Sequence, residues 1–207
     1  LTFSRTFLVL CAALGMAGLS GCAPMLLGAG AAGAVTSLQD RRSTGTQLDD
    51  ESIEVRASNR LSDRFDGRVH VNVTSYNRIA LITGEVPDDK VRDEAEKIVL
   101  AVPGVRAATN DLQIAGLSSL GSRTNDSYLT TKVRGRLLDT QRVSPVHVKV
   151  VTEAGVVYLM GLVTEPEADE AVEIARTTGG VRKVVKVFEY CKPTDERCRP
   201  PKERTGS

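Results

Sequence analysis

The sequence predicts an α+β protein made of two tandem copies of one small domain. Each copy runs helix, strand, strand, helix, strand, with a three-stranded mixed sheet and both helices on one face. Three observations carry this. Val69-His70-Val71-Asn72-Val73 recurs as Val146-His147-Val148-Lys149-Val150, and the segment from Ile79 to Gly84 recurs from Val156 to Gly161, each 77 positions later. Gly104-Val105-Arg106 matches Gly180-Val181-Arg182 at an offset of 76, and Val55-Arg56 pairs with Val133-Arg134 at 78. The 207 residues include no tryptophan and only 4% aromatics, which suits two small cores of Val, Leu, Ile and Ala better than one ring-filled core.

In the first copy, Asp49 or Asp50 is expected to cap a helix whose apolar positions Ile53, Ala57 and Leu61 recur every four residues. Val69, Val71 and Val73 alternate with polar residues, a strand with one buried face. Tyr76-Asn77 turns the chain into a strand from Ile79 to Thr83. A helix follows from Asp88 to Ala101 with Val91, Ala95, Ile98 and Val102 inward, ended by Pro103-Gly104, and Val105 to Ile114 supplies the third strand. Residues 116–124, rich in Gly and Ser, read as a linker.

The second copy has clearer punctuation. Asn125-Asp126 is expected to cap a helix with Leu129, Val133 and Leu137 on one stripe, and Pro145 separates it from a strand ending at Thr152. Glu153-Ala154-Gly155 forms the hairpin turn. Thr164 followed by Glu167 is a capping box with Pro166 in the first turn, and Gly179-Gly180 stops that helix before the strand from Val181 to Glu189. The domains are therefore placed at 49–115 and 125–190, with a polar tail at 191–207.

The N-terminal segment points to export. Arg5 precedes an apolar run that ends in Leu19-Ser20-Gly21-Cys22, the layout of a secretory signal cut before the cysteine. This layout resembles a bacterial lipobox, which implies residues 1–21 as signal peptide, lipid on the Cys22 thiol and a lipidated linker at 22–48. Two or more acyl chains, at about 0.8 kcal/mol per buried methylene, anchor a protein firmly. The alternative is an uncleaved membrane-spanning helix, because no charge falls between Phe7 and Val35; Gly15, Gly18, Gly21 and Pro24 punctuate that run and count against it. Ala23, in place of Asp, resembles an outer-membrane sorting signal.

Charge and cysteine content narrow the function. With 27 Lys and Arg against 26 Asp and Glu, no bulk field draws the chain to nucleic acid. Cys191 and Cys198 flank a polar loop and can close a disulfide in an oxidising compartment, with a reduced pair as the alternative. Two thiols without a nearby histidine supply half a tetrahedral zinc shell. His70 and His147 occupy equivalent strand positions, but Asn72 and Lys149 beside them are not ligand-like, and a solvent-facing position accounts for both; no metal site and no cofactor are expected. Nucleophile elbows, zinc-protease helices and phosphate loops are absent from the sequence, so an enzyme is not expected.

On a helical wheel, Tyr128, Lys132 and Arg136 share one side of the first helix of the second copy. Leu138 falls off the apolar stripe, and Arg134 and Arg142 add positive charge elsewhere. A polar-tipped aromatic beside cations suits the headgroup zone of an anionic bilayer; an ordinary solvated face is the alternative.

The strand ending in Gly84 or Gly161, the acidic helix after it and the Gly-Val opening the last strand resemble the BON domain. With Asn125 to Arg134, Tyr158 to Glu165 and the lipobox, the resemblance extends to dual-BON outer-membrane lipoproteins and covers all but the tail from Cys191. It implies a non-enzymatic, periplasm-facing protein that maintains outer-membrane integrity. It also implies that the second domain binds anionic phospholipid through its first helix, whose aromatic position matches Tyr128. Together with the wheel reading, this gives Tyr128, Lys132, Arg134, Arg136 and Leu138 as the expected phospholipid-binding residues. The alternative is a protein-interaction adaptor for outer-membrane protein assembly, using a sheet face or edge around Asn72 and Lys149.

Overall fold

The computed structural model describes residues 40–140 and 142–199. The expected signal segment, Cys22, Ala23 and the chain beyond Arg199 lie outside the described residues.

The first domain comprises α1 (Thr44–Phe65), β1 (His70–Tyr76), β2 (Ile79–Val86), α2 (Asp89–Leu100), β3 (Ala107–Asn110) and β4 (Gln113–Ile114). The second comprises α3 (Leu120–Asp139), β5 (Val148–Glu153), β6 (Val156–Val163), α4 (Glu165–Arg176) and β7 (Lys183–Tyr190). In each sheet the middle strand pairs antiparallel with the first and parallel with the last, giving the orders β1-β2-β3 and β5-β6-β7. The expected third strand of domain 1 is split, with both β3 and β4 pairing β2. Asn110 causes the break: its amide turns back to Glu96 while its Oδ1 accepts from Leu112 N, and Leu112 drops into the core.

Both first helices start earlier than the sequence suggests. Ser43 caps α1 by accepting from Thr46 N, and Ser119 caps α3 by accepting from Ser122 N, so most of the expected linker at 116–124 is helix. Asp50 and Asp126, expected at the helix starts, instead sit buried within them and point at the hairpins. Asp50 accepts from Asn77 N and Arg78 N at 2.8 and 2.6 Å and from Ser75 Oγ. Asp126 accepts from Ala154 N and Gly155 N at 2.9 and 2.8 Å. All four turn residues have positive φ, from 47° upward in the chain as a whole, and this carboxylate secures that conformation. The repeat register is corrected as well: buried Ala57, not exposed Val55, is the counterpart of buried Val133.

Each domain has its own core between helices and sheet. Ile53, Ala57, Leu61, Ala95 and Val99 meet Val73, Ala80 and Ile82 in the first. Val133, Leu137, Ala171 and Ile174 meet Val150, Val157 and Leu159 in the second. Val99, rather than the expected Ile98, lies deepest on α2.

The opposite sheet faces are also covered. Tyr76 and Leu81 of domain 1 pack with Tyr158, Met160 and Leu162 of domain 2 and with both sulfur-bearing residues of the tail, forming a third core. Fully burying one such side chain contributes about 1.5–3 kcal/mol, so the domains stack sheet to sheet. The contacts are reciprocal: His70 faces Glu153, and Tyr76 Oη donates to His147 O, where His147 and Glu153 are the repeat counterparts of His70 and Tyr76. Lys149–Glu54 at 2.6 Å, Arg106–Glu189 at 2.7 Å and Tyr158 Oη to Asp111 at 2.8 Å close the rim.

Residues 40–42, expected to be linker, are fixed at this junction. Arg41 reaches Glu167, Leu162 O and Cys198 O, while Arg42 bonds Asp40 and Asp50 and lies 3.9 Å from the Tyr76 ring centroid. Cys191 and Cys198 are joined in a disulfide with Cα atoms 5.8 Å apart, and both are buried. The part of the tail described here is therefore packed, not a polar appendage.

Two glycines are required by close approach. A Cβ on Gly84 would lie 2.0 Å from His70 O, and one on Gly161 would lie 2.3 Å from His147 O.

Candidate functional site

The outer face of α3 carries the candidate site. Leu129, Val133 and Leu137 turn into the core, which leaves the opposite side of the helix in solvent. Tyr128 is 62% exposed, Leu138 67% and Leu120 80%. Leu120 and Leu138 are separated by five full helical turns and so lie on one line about 27 Å long, with Tyr128 at its flank. Leu120 was missed by sequence reasoning because its segment read as linker; the Ser119 cap that makes it helical repeats the Ser43 pattern and was the available signal.

The structure separates the four cations assigned to this region. Lys132 Nζ lies 5.9 Å from the Tyr128 ring centroid and also donates to Gly179 O at 3.0 Å. Arg136 donates to Ile174 O and Thr178 Oγ1 at 2.7 Å and to Thr177 Oγ1 at 3.0 Å. These two residues therefore neutralise the carbonyl-rich C-terminal end of α4, and Arg136 is a structural clamp more than a free headgroup ligand. Arg134 turns to the other side, donating to Val150 O, and does not share a surface with Tyr128. Arg142 is exposed and pairs with Glu170 at 3.1 Å.

The expected strand sites behave differently. His70 does not face solvent: it stands beside Glu85 at 2.9 Å and Glu153 at 3.8 Å, both buried. Burial pushes the Glu153 carboxyl up, opposed by the Asn72 hydrogen bond and His70 and reinforced by the Glu85 and Asp126 charges. A cleft of about 360 Å³ adjoins this cluster, lined among others by Asn72, Arg134 and Lys149. His147 lies 3.6 Å from Glu167. Burial pushes Glu167 up, but its bonds to His147, Arg41 and Thr164 outweigh that and hold it well below the usual carboxylate range. Asn72 and Lys149 are engaged with Glu153 and Glu54 inside the chain, so the sheet face considered for a protein partner is occupied by the other domain.

Two stacked αββαβ domains with an apolar, cation-edged helix face define a tandem-domain α+β protein, and the chain belongs to the BON domain family, which residues 49–116 and 125–192 each match. It is 39% identical over 176 residues to the outer membrane lipoprotein DolP of Haemophilus influenzae, covering 83% of this chain and 90% of that protein. It is 35% identical to the 21 kDa hemolysin of Actinobacillus pleuropneumoniae, covering 73% of this chain and 79% of that one. Osmotically-inducible protein Y of Escherichia coli K12 is 28% identical over 68% of this chain and 72% of its own length. Among the described residues no helix is long and apolar enough to cross a membrane.

Proposed function

We propose that this chain is a non-enzymatic outer-membrane lipoprotein, anchored through Cys22 on the periplasmic side, whose second BON domain docks on anionic phospholipid through the outer face of α3 and thereby supports outer-membrane integrity. The observation that carries the reading is the exposed line from Leu120 to Leu138, with Tyr128 and Lys132 at its flank. Similarity to an outer membrane lipoprotein over most of both chains supports the location.

The energetics favour a weak contact made useful by a tether. A basic residue near an anionic surface contributes about 1 kcal/mol, and partial burial of three exposed apolar side chains adds a few kcal/mol. A total of about 4–6 kcal/mol corresponds to an affinity of roughly 1 to 0.04 mM. Acyl anchoring raises the local concentration of membrane and makes such a face effective.

The test is flotation of residues 40–199, free of acyl chains, with vesicles of increasing anionic lipid fraction at low and high salt. Binding is expected to rise with anionic fraction and to fall with salt. Tyr128→Glu with Leu138→Glu, both at exposed positions, should abolish it while the fold persists. Binding by that double variant equal to the parent would remove the reading.

A further inference from the structure

We propose that His70, Glu85 and Glu153 form a zinc-class divalent metal site that bridges the two BON domains. The donors come from β1 and β2 of the first domain and from the end of β5 of the second. His70 Nδ1 lies 2.9 Å from Glu85 Oε2 and 3.8 Å from Glu153 Oε1, and one ligand atom from each of the three residues lies within 4.8 Å of the others. Tetrahedral donors at bond lengths of about 2.0–2.2 Å stand roughly 3.3–3.6 Å apart, so small side-chain adjustments complete the geometry.

The groups in direct contact favour a cation, although Arg123, Arg134 and Lys149 line the adjoining cleft. Both carboxylate side chains are only 7% exposed. Among the described residues neither is bonded to Lys or Arg; their partners are the Ser118 N–H, the Asn72 amide and the imidazole. Two buried carboxylates meet a single imidazole, and buried negative charge without a compensating cation is costly. An imidazole with two carboxylates suits zinc, whereas magnesium and calcium prefer shells of oxygen alone. The adjoining cleft of about 360 Å³ reaches His70, Asn72 and Glu153 and has room for water to fill the remaining positions.

The neighbours also fit. The Asn72 amide nitrogen lies 3.2 Å from His70 Nε2 and donates to Glu153 Oε2 at 2.8 Å, so one side chain holds the ring and a carboxylate of the cluster in place, as the outer partners of metal ligands do. A metal here ties β2 of one domain to β5 of the other and stiffens the sheet-to-sheet junction. The three donors lie outside α3, although the inner side of that helix lines the adjoining cleft at Asp126 and Thr130.

The test is calorimetric titration of the oxidised, chelator-stripped full chain with Zn²⁺, in parallel with Co²⁺ binding followed by visible absorption. The parent and the control His147→Gln are expected to take up one ion in the cluster, with a rise in unfolding temperature. His70→Gln and Glu153→Gln should each weaken uptake at least about 10-fold and lose the cobalt band. Should His70→Gln unfold, Glu153→Gln carries the test, because it keeps the shape of the side chain. Absence of saturable uptake by the parent, or uptake unchanged in a folded Glu153→Gln protein, overturns the proposal.

Discussion

Replacing Asp126 with Ala tests how a helix interior holds a hairpin in this fold. The carboxylate accepts two backbone N–H groups, from Ala154 at 2.9 Å and Gly155 at 2.8 Å. A hydrogen bond to a charged group is worth about 1.5–3 kcal/mol net, so losing two costs about 3–6 kcal/mol. Relief of the buried charge and the better helix propensity of Ala return about 1 kcal/mol. The expected net loss is about 2–5 kcal/mol, a large share of what a domain of this size possesses. Asp126→Asn, which keeps an oxygen acceptor, should lose about half as much. Asp50→Ala should lose more, because Asp50 also serves Ser75 Oγ and Arg42. Urea unfolding followed by far-UV circular dichroism reads all three, with the exposed Asp169→Ala expected within about 0.5 kcal/mol of the parent. A loss under 1 kcal/mol for Asp126→Ala would refute the assignment of the hairpin to that carboxylate.

Glu167→Gln should destabilise the protein by about 2 kcal/mol at neutral pH, since it removes the charged partner of Arg41. Because the folded-state pKa of Glu167 is depressed, its contribution is present above the ordinary carboxylate range and is lost as pH falls below it. The gap between parent and variant in urea titrations should therefore narrow below about pH 4, and a gap constant down to pH 2 would count against the assignment. Replacing Cys191 and Cys198 by Ser should cost about 2–3 kcal/mol from lost loop closure. Combined with Arg41→Ala the losses should fall short of additive, because Arg41 Nε bonds Cys198 O; strict additivity in thermal unfolding would separate the two.

Local patterning made the repeated domain readable, and long-range geometry hid the rest. Alternation in Val69 to Val73 and the stripe of Leu129, Val133 and Leu137 report burial directly, because a single element has to hide one face. The helix starts were misread because Asp50 and Asp126 look like caps when their true role is to bind turns 27 to 29 residues away. Their true caps, Ser43 and Ser119, sit in Gly- and Ser-bearing text that resembles linker. His70 read as solvent-facing because its partners come from a neighbouring strand and from the other domain, and no sequence spacing encodes the second. The outer face of α3 was legible at Tyr128 and Leu138. The diversion of Lys132 and Arg136 to the end of α4 depends on how the helices pack, which a helical wheel cannot convey.

The proposed membrane-facing role of α3 is tested most directly by depth. A fluorophore at Leu138→Cys and, separately, at Asp169→Cys is followed in the presence of anionic vesicles containing lipids with a quencher on the acyl chain. The label at 138 should be quenched strongly and the one at 169 little. Equal quenching at the two positions, or none at either with the protein bound, would contradict docking through this helix.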